Sequence, residues 1–244
     1  TDWNEALQVA ADGLSKAQQG QGAGILSGAR LTNEELYLLK QVAKELGTEN
    51  LDHSGGECYK GVTEGLVETI GVAASTAAFP QIEKANVILA IRSDFYETHP
   101  VVGMVVNQAI RRNGAKLAIV ADKKGKLDKL PGAKTLLSRP GLELDVLNAM
   151  ARLLLDEGLA QTEGIEGLEE LKAALADFEP AQVAERTGVN LETLQATARQ
   201  LAGAENSAIL MAYGLPYQGL NKELATAAAN LALLVGIPGR EGSG

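Results

Sequence analysis

Residues 86–122 read NVILAIRSDFYETHPVVGMVVNQAIRRNGAKLAIVAD, and this stretch decides the fold. Residues 87–91 are a continuous apolar run, which marks a strand buried on both faces. Pro100 suits the first turn of a helix, where a missing N–H costs little. Apolar residues then recur at 101, 105 and 109 and at 102, 106 and 110, the period of a buried helical stripe. Arg111 and Arg112 fall in the last turn, where the helix dipole favours cations, and Gly114 is placed to stop the helix. Residues 117–120 form a second buried strand ending at Asp122. Strand, helix and strand in under forty residues predict a βαβ unit on a parallel sheet. Such sheets bind ligands outside the carboxyl ends of their strands, which directs attention to segments 92–99 and 122–126.

Working outward, Trp3, Leu7, Ala10, Leu14 and Ala17 predict a helix over 3–19, followed by a loop at 20–24 and a short strand at 25–27. Thr32 and Glu35 have the spacing of a capping box. They open a helix with Leu36, Leu39, Ala43 and Leu46 on its buried face, stopped at Gly47, and 50–53 is a very short strand. Residues 54–61, Ser-Gly-Gly-Glu-Cys-Tyr-Lys-Gly, predict a glycine-rich turn whose backbone can approach a ligand closely. A short helix over 62–71 follows, and 73–78 read as a loop or the start of a helix. Residues 122–134 predict a charged surface loop, 135–137 a short strand and Pro140-Gly141 a turn. Residues 144–155 predict a helix with Val146, Leu147, Met150 and Leu154 inward. The stretch 158–203 is α-rich, with Asn190 capping its last helix. A strand at 207–211, a helix at 221–235 and a glycine-rich tail complete the chain.

The 244 residues carry 45% hydrophobic and 22% charged residues, an ordinary globular composition. A net charge of −9 and a pI near 4.9 argue against nucleic acid or an anionic membrane as the main partner. There is no apolar run of about 18 residues, so no membrane span is expected. One Cys excludes an internal disulfide and a multi-Cys metal or iron–sulfur site built from these residues alone; a reducing cytoplasm is the simplest compartment. The acidic, Met-less start and the loop-like close at 239–244 read as the ends of a piece of a longer polypeptide.

Candidate chemistry is sparse. Cys58 is either a structural thiol or a thiolate ligand or nucleophile, with Lys60 near enough in sequence to lower its pKa. It is expected in a loop at the carboxyl edge of the sheet, facing the same cleft as Arg92 and Asp122. His99, before Pro100 at a helix start, is either structural or a ligand contact. Asp122 at a strand end either caps the next turn or accepts hydrogen bonds from a ribose or base. Lys123 and Lys124 are either solvated or contact an anion. No G-x-G-x-x-G follows a strand, and neither a P-loop nor a G-x-S-x-G elbow is present, so a self-contained NAD or ATP enzyme is not expected.

Several segments, in fixed order, resemble the molybdopterin oxidoreductase superfamily. They are Thr32-Asn33-Glu34-Glu35 with 46–53; Cys58 with Gly65-Leu66 and Gly71; Glu97-Thr98-His99-Pro100-Val101; the strand 115–122; Arg139-Pro140-Gly141; and 230–242. Within the superfamily the likeness is to the formate dehydrogenase large subunit and to the related subunit of NADH-quinone oxidoreductase (NADH dehydrogenase). The resemblance implies a molybdopterin guanine dinucleotide contacted by Ser93, Asp94, His99, Asp122, Lys124 and Gly214, with Cys58 as molybdenum ligand. It places iron–sulfur clusters outside this segment. Tyr59, Arg92, Asp94, Lys123-Lys124 and Glu143 depart from the family's pattern, and an Arg at 92, where the family has Gly, crowds a nucleotide.

The expected class is α/β, a mostly parallel sheet of Rossmann-like βαβ units with an α-rich insertion. Its portions are 1–157 with the candidate cofactor edge, a helical connector at 158–203, and a strand–helix return at 204–244. The implied function is the central domain of a molybdopterin-oxidoreductase-type subunit of an electron-transferring complex in the cytoplasm or on the cytoplasmic face of a membrane complex. In one variant the cofactor is held, and in the other the fold is a scaffold beside other subunits. The alternative is a stand-alone Rossmann-like nucleotide-binding or scaffold module.

Overall fold

A computed structural model describes residues 2–20, 22–28, 30–212 and 221–244, and the chain divides into two units, 1–60 and 61–244. The first unit opens with α1 (Trp3–Gln19), whose N-cap Asp2 accepts from Glu5 N at 2.9 Å. β1 (Ile25–Ser27), α2 (Asn33–Glu45) and β2 (Leu51–His53) follow, with β1 and β2 parallel in the register Ile25↔Leu51. The capping box forms as its spacing predicts: Glu35 N donates to Thr32 Oγ1 at 3.2 Å and Thr32 N to Glu35 Oε2 at 2.7 Å. The expected buried face of α2 is only partly buried. Ala43 is covered, Leu39 and Leu46 are half-buried, and Leu36 is exposed. A two-stranded sheet has too little surface to cover two helices.

Residues 54–61 are not a loop. They form the first turns of α3 (Ser54–Ile70), which runs across the boundary between the units. At the end of this stretch a Cβ on Gly61 would stand 3.1 Å from Asn221 Cβ and from Lys222 N, so close packing there favours glycine despite its weak helix propensity. In the second unit, a Cβ on Gly65 would stand 2.6 Å from the Lys222 carbonyl oxygen and 2.9 Å from Ala225 Cβ. The glycine is a contact surface rather than a hinge.

The second unit continues with α4 (Phe79–Lys84), β3 (Val87–Ile91), α5 (Phe95–Thr98), α6 (Pro100–Asn113) and β4 (Lys116–Ala121). Pro100 occupies the first turn of α6 and Gly114 ends it at φ 71°, both as predicted. After β4 a 3₁₀ turn (Leu127–Lys129) precedes β5 (Lys134–Leu137). The segment 122–134 is therefore not wholly a surface loop, because Leu127 and Leu130 turn inward and are buried. Then come α7 (Glu143–Asp156), α8 (Leu168–Ala174), α9 (Pro180–Thr187), α10 (Leu191–Ala202), β6 (Ser207–Met211) and α11 (Asn221–Leu234). Asn190 caps α10 by accepting from Thr193 N at 2.8 Å.

The sheet of this unit has the order β5-β4-β3-β6, with every described pair parallel: Val87↔Lys116, Ala118↔Lys134 and Val87↔Ser207. β3 is central, and all five of its residues are buried. Its period of two divides them between two cores. Ile88 and Ala90 pack with Val106, Ala109 and Ile110 of α6, while Leu89 and Ile91 pack with α7, α10 and α11. The chain steps outward from β3 to β5 and then returns to β6 on the other flank, so the strand order reverses at β3. The tail runs beside β6: Gly244 N donates to the Ser207 carbonyl at 3.1 Å, and Ile209 N donates to the Gly244 carbonyl at 3.0 Å.

Candidate functional site

The carboxyl ends of the parallel strands are where an open α/β sheet offers its backbone to a ligand. Four segments meet this description: 92–99 after β3, 122–126 after β4, 138–143 after β5 and the segment after β6. Residue 92 has φ 52° and is the one non-glycine residue with positive φ among those described. That conformation costs a side-chain-bearing residue roughly 1–3 kcal/mol. Arg92 N still donates to the Val120 carbonyl at 2.8 Å, so the strand pairing persists through the strained residue.

The Arg92 side chain turns inward. Its Nη2 lies 3.3 Å from Oε2 of Glu143, the first residue of α7, and the two side chains are 7% and 1% exposed. The other carboxylate oxygen, Oε1, is buried with no hydrogen-bond partner among the described residues. Between the loops after β3 and β4, Asp94 is the tie. Its Oδ1 accepts from Tyr96 N at 3.1 Å, capping α5, and its Oδ2 accepts from Lys126 N. Lys126 Nζ also stands 3.4 Å from Glu97 Oε1, an exposed pair of small energetic weight. A Cβ on Gly125 would collide with the Asp94 carboxylate, so the space beside that backbone is taken by the protein's own side chain. Asp128 braces the same loop by accepting from Gly125 N at 2.6 Å and from the Thr135 hydroxyl.

The other expected site residues fall at the same edge. Ser93 Oγ is 3.4 Å from Thr98 Oγ1, which in turn is 3.0 Å from Nδ1 of the half-buried His99. Asp122 is half-buried and Lys124 exposed, and neither makes a hydrogen bond or ion pair with the described residues. Gly214 lies outside the described residues. Cys58 lies in α3 of the first unit, in a helix rather than the expected turn, and its side chain is outside the described residues. Sequence reasoning placed Arg92 as an obstruction but did not pair it with Glu143. The available signal was a complementary pair of departures from the family pattern, a cation at 92 and a longer acid at 143.

The sequence profile of the molybdopterin oxidoreductase family matches residues 1–244 in full. The chain belongs to the molybdopterin oxidoreductase family. It is 31% identical over 249 residues to the F420-dependent formate dehydrogenase subunit alpha of Methanocaldococcus jannaschii, covering 100% of this chain and 36% of that protein. Against the F420-dependent formate dehydrogenase 2 subunit alpha of Methanococcus maripaludis the identity is 30% over 247 residues, covering 99% and 36%. A probable oxidoreductase of Bacillus subtilis, YjgC, is 28% identical over 251 residues, with 25% of its length covered. The chain thus spans about a quarter to a third of the length of these relatives. Among solved structures, the acetylene hydratase of Pelobacter acetylenicus superposes with a TM-score of 0.81 at 22% identity. The match covers 99% of this chain and 33% of that one, and it establishes a shared fold.

Membership in the molybdopterin oxidoreductase family implies a molybdenum–pterin cofactor, and the strand ends allow a test of fit. A nucleotide laid there needs open backbone and unengaged donors and acceptors. Instead, the Arg92 side chain fills the space after β3, the Asp94 carboxylate is held by two backbone amides, and the cradle at Gly125 is occupied. As arranged, these residues do not fit the nucleotide end of the cofactor. Among the described residues, no helix is long and apolar enough to cross a membrane.

Proposed function

We propose that residues 1–244 form the central α/β part of the large subunit of an electron-transferring complex, acting there as a structural platform. In this reading the chain follows the plan of the related subunit of NADH-quinone oxidoreductase rather than that of a catalytic formate dehydrogenase subunit. Its partners are the other subunits of the complex, on the cytoplasmic side, with iron–sulfur clusters held outside these residues. The supporting observation is the internal engagement of the strand-end carboxylates: Glu143 is paired to Arg92, and Asp94 bridges the loops after β3 and β4. In the catalytic variant Cys58 ligates molybdenum and Ser93, Asp94, His99, Asp122, Lys124 and Gly214 contact the pterin nucleotide. That variant requires Arg92 and Asp94 to release their present partners.

The test is elemental. Full-length protein produced with molybdate in the medium and analysed by mass spectrometry is expected to hold near-zero molybdenum. Stoichiometric metal, lost on Cys58→Ser, would instead assign the catalytic variant.

A further inference from the structure

We infer that the groove between α3, α8 and α11 is a docking site for a basic segment of a partner protein, with a lysine side chain laid along its apolar floor and the ammonium at the Glu68 and Glu166 carboxylates. The inference rests on the proposed platform role in needing a partner subunit, and it names the surface which that partner meets.

Charge is distributed unevenly along the chain. Residues 156–205 hold eleven acidic and three basic residues, and so supply −8 of the net charge of −9. All three bases are engaged by acids: Lys172 Nζ lies 2.7 Å from Glu169, Arg186 Nε 2.7 Å from Asp145 and Arg199 Nη2 2.6 Å from Glu157. The carboxylates left over give this helical stretch a field of one sign, which steers a cationic partner toward it.

A cavity of about 210 Å³ opens beside this stretch. Ile165, Leu171, Leu233 and Leu234 give it an apolar floor, and Glu68 and Glu166 stand among its walls. The floor is continuous with the larger core, which holds it in shape. Its volume falls below the roughly 300–1,000 Å³ of sites that enclose a whole organic ligand, but it has room for one long side chain. Glu166 is exposed and makes no hydrogen bond or ion pair with the described residues. Glu68 takes Lys222 Nζ at 2.7 Å, an exposed pair of small weight that an incoming cation can share.

The backbone adds a contribution of the same sign. Glu68 and Leu233 lie in the last turns of α3 and α11, and neither turn contains a basic residue. Helix C-termini carry partial negative charge and favour cations. The nearby Arg240 lines no part of the groove and is engaged by the Ala204 and Val235 carbonyls. Its bond to Ala204 joins the segment after α11 to the start of β6. The groove therefore lies toward the amino ends of the strands, away from the edge described above. Lysine suits this combination, because its methylene stem packs on apolar surface while its ammonium stays at a wet rim.

The test measures binding of an end-blocked lysine octapeptide to the full-length protein by fluorescence anisotropy. The wild type is expected to bind it, with affinity falling as salt rises. Glu166→Lys reverses the charge of an exposed side chain without a partner, so the fold is not at stake, and it should weaken binding at least about fivefold. Glu185→Lys makes the same charge change in the same helical stretch but outside the groove, and should alter binding less than about twofold. An octapeptide of acetyl-lysine, which keeps the stem and lacks the charge, should not bind. A wild type that ignores the octapeptide, or equal weakening by the two variants, overturns the inference. Butylammonium that displaces the octapeptide at equal amine concentration overturns it too, because the cavity is then a small-amine site. So does a dimer in sedimentation that Glu166→Lys dissociates, because the groove is then a contact between copies. Molybdenum in the wild type would sink the proposed platform and leave this surface standing. A metal-free protein whose groove ignores the octapeptide would sink this inference alone.

Discussion

The parallel pair β1–β2 and the parallel pair β3–β4 share one plan, two strands joined through a helix, yet they bury it differently. In the first, each strand has three residues, β2 is exposed throughout, and Leu26 of β1 is 87% exposed. α1 buries none of its residues, and Trp3 at its start is 82% exposed although it belongs to a regular apolar stripe. In the second, β3 is buried along its whole length, and α6 covers Val106, Ala109 and Ile110 against it. The difference lies in the neighbours. β3 has strands on both flanks and helices on both faces, whereas among the described residues β1 and β2 pair only with each other. An apolar stripe says which face seeks cover, not whether these residues supply it.

This contrast predicts a ladder of effects. Leu154→Ala removes a fully buried side chain from the larger core and is expected to destabilise by about 2–5 kcal/mol in urea unfolding. A loss below about 1 kcal/mol would mean that this core is not the cooperative one. Thr32→Ala deletes an exposed cap in the first unit and should remove about 1 kcal/mol, with α2 fraying first in hydrogen exchange. Trp3→Ser should change stability by no more than about 0.5 kcal/mol in residues 1–244. If the same substitution costs several times more in a polypeptide extended beyond these residues, a segment outside this stretch covers α1, and the contrast between the two units is one of missing cover.

The smallest effect concerns pH. The side-chain hydrogen bond from Arg199, with that residue's charge, holds the Glu157 carboxyl below its ordinary value against the opposing effect of desolvation. A carboxyl whose folded pKa is depressed stabilises the fold above its unfolded pKa and loses that contribution as pH falls through the folded value. An E157Q variant should therefore show a slightly flatter acid limb than the wild type, and an unchanged limb would show the pair to be without weight.

Much of this architecture was legible from local signals. The apolar run at 87–91, Pro100 at a helix start, Gly114 at its stop, and the caps at Thr32 and Asn190 are each decided by residues within one or two turns. The resemblance, too, lay in the order of short segments. Other features were hidden because their causes are distant. The course of α3 depends in part on α11, far along the chain, where Gly65 meets Lys222 and Ala225. Leu127 and Leu130 sit in a charged stretch, and the apolar surface they turn toward, with Leu117, Ile119 and Val106, is not adjacent in sequence. Asp94, expected from the resemblance to contact a cofactor, caps α5 and ties two loops through Lys126 N, a contact between residues 32 apart.

Periodicity, caps and turn residues thus settled the kind and order of the elements, because helices and strands are selected by interactions of short range. The parallel sheet followed, since buried strands alternating with helices have few other ways to pack. The fold alone decided what the strand ends do. Arg92 and Glu143 are 51 residues apart, and only the adjacency of β3 to the start of α7 brings the guanidinium onto the carboxylate. A buried charge takes its partner from space rather than from sequence, and so the feature that distinguishes this edge from an open nucleotide site emerged only with the tertiary structure.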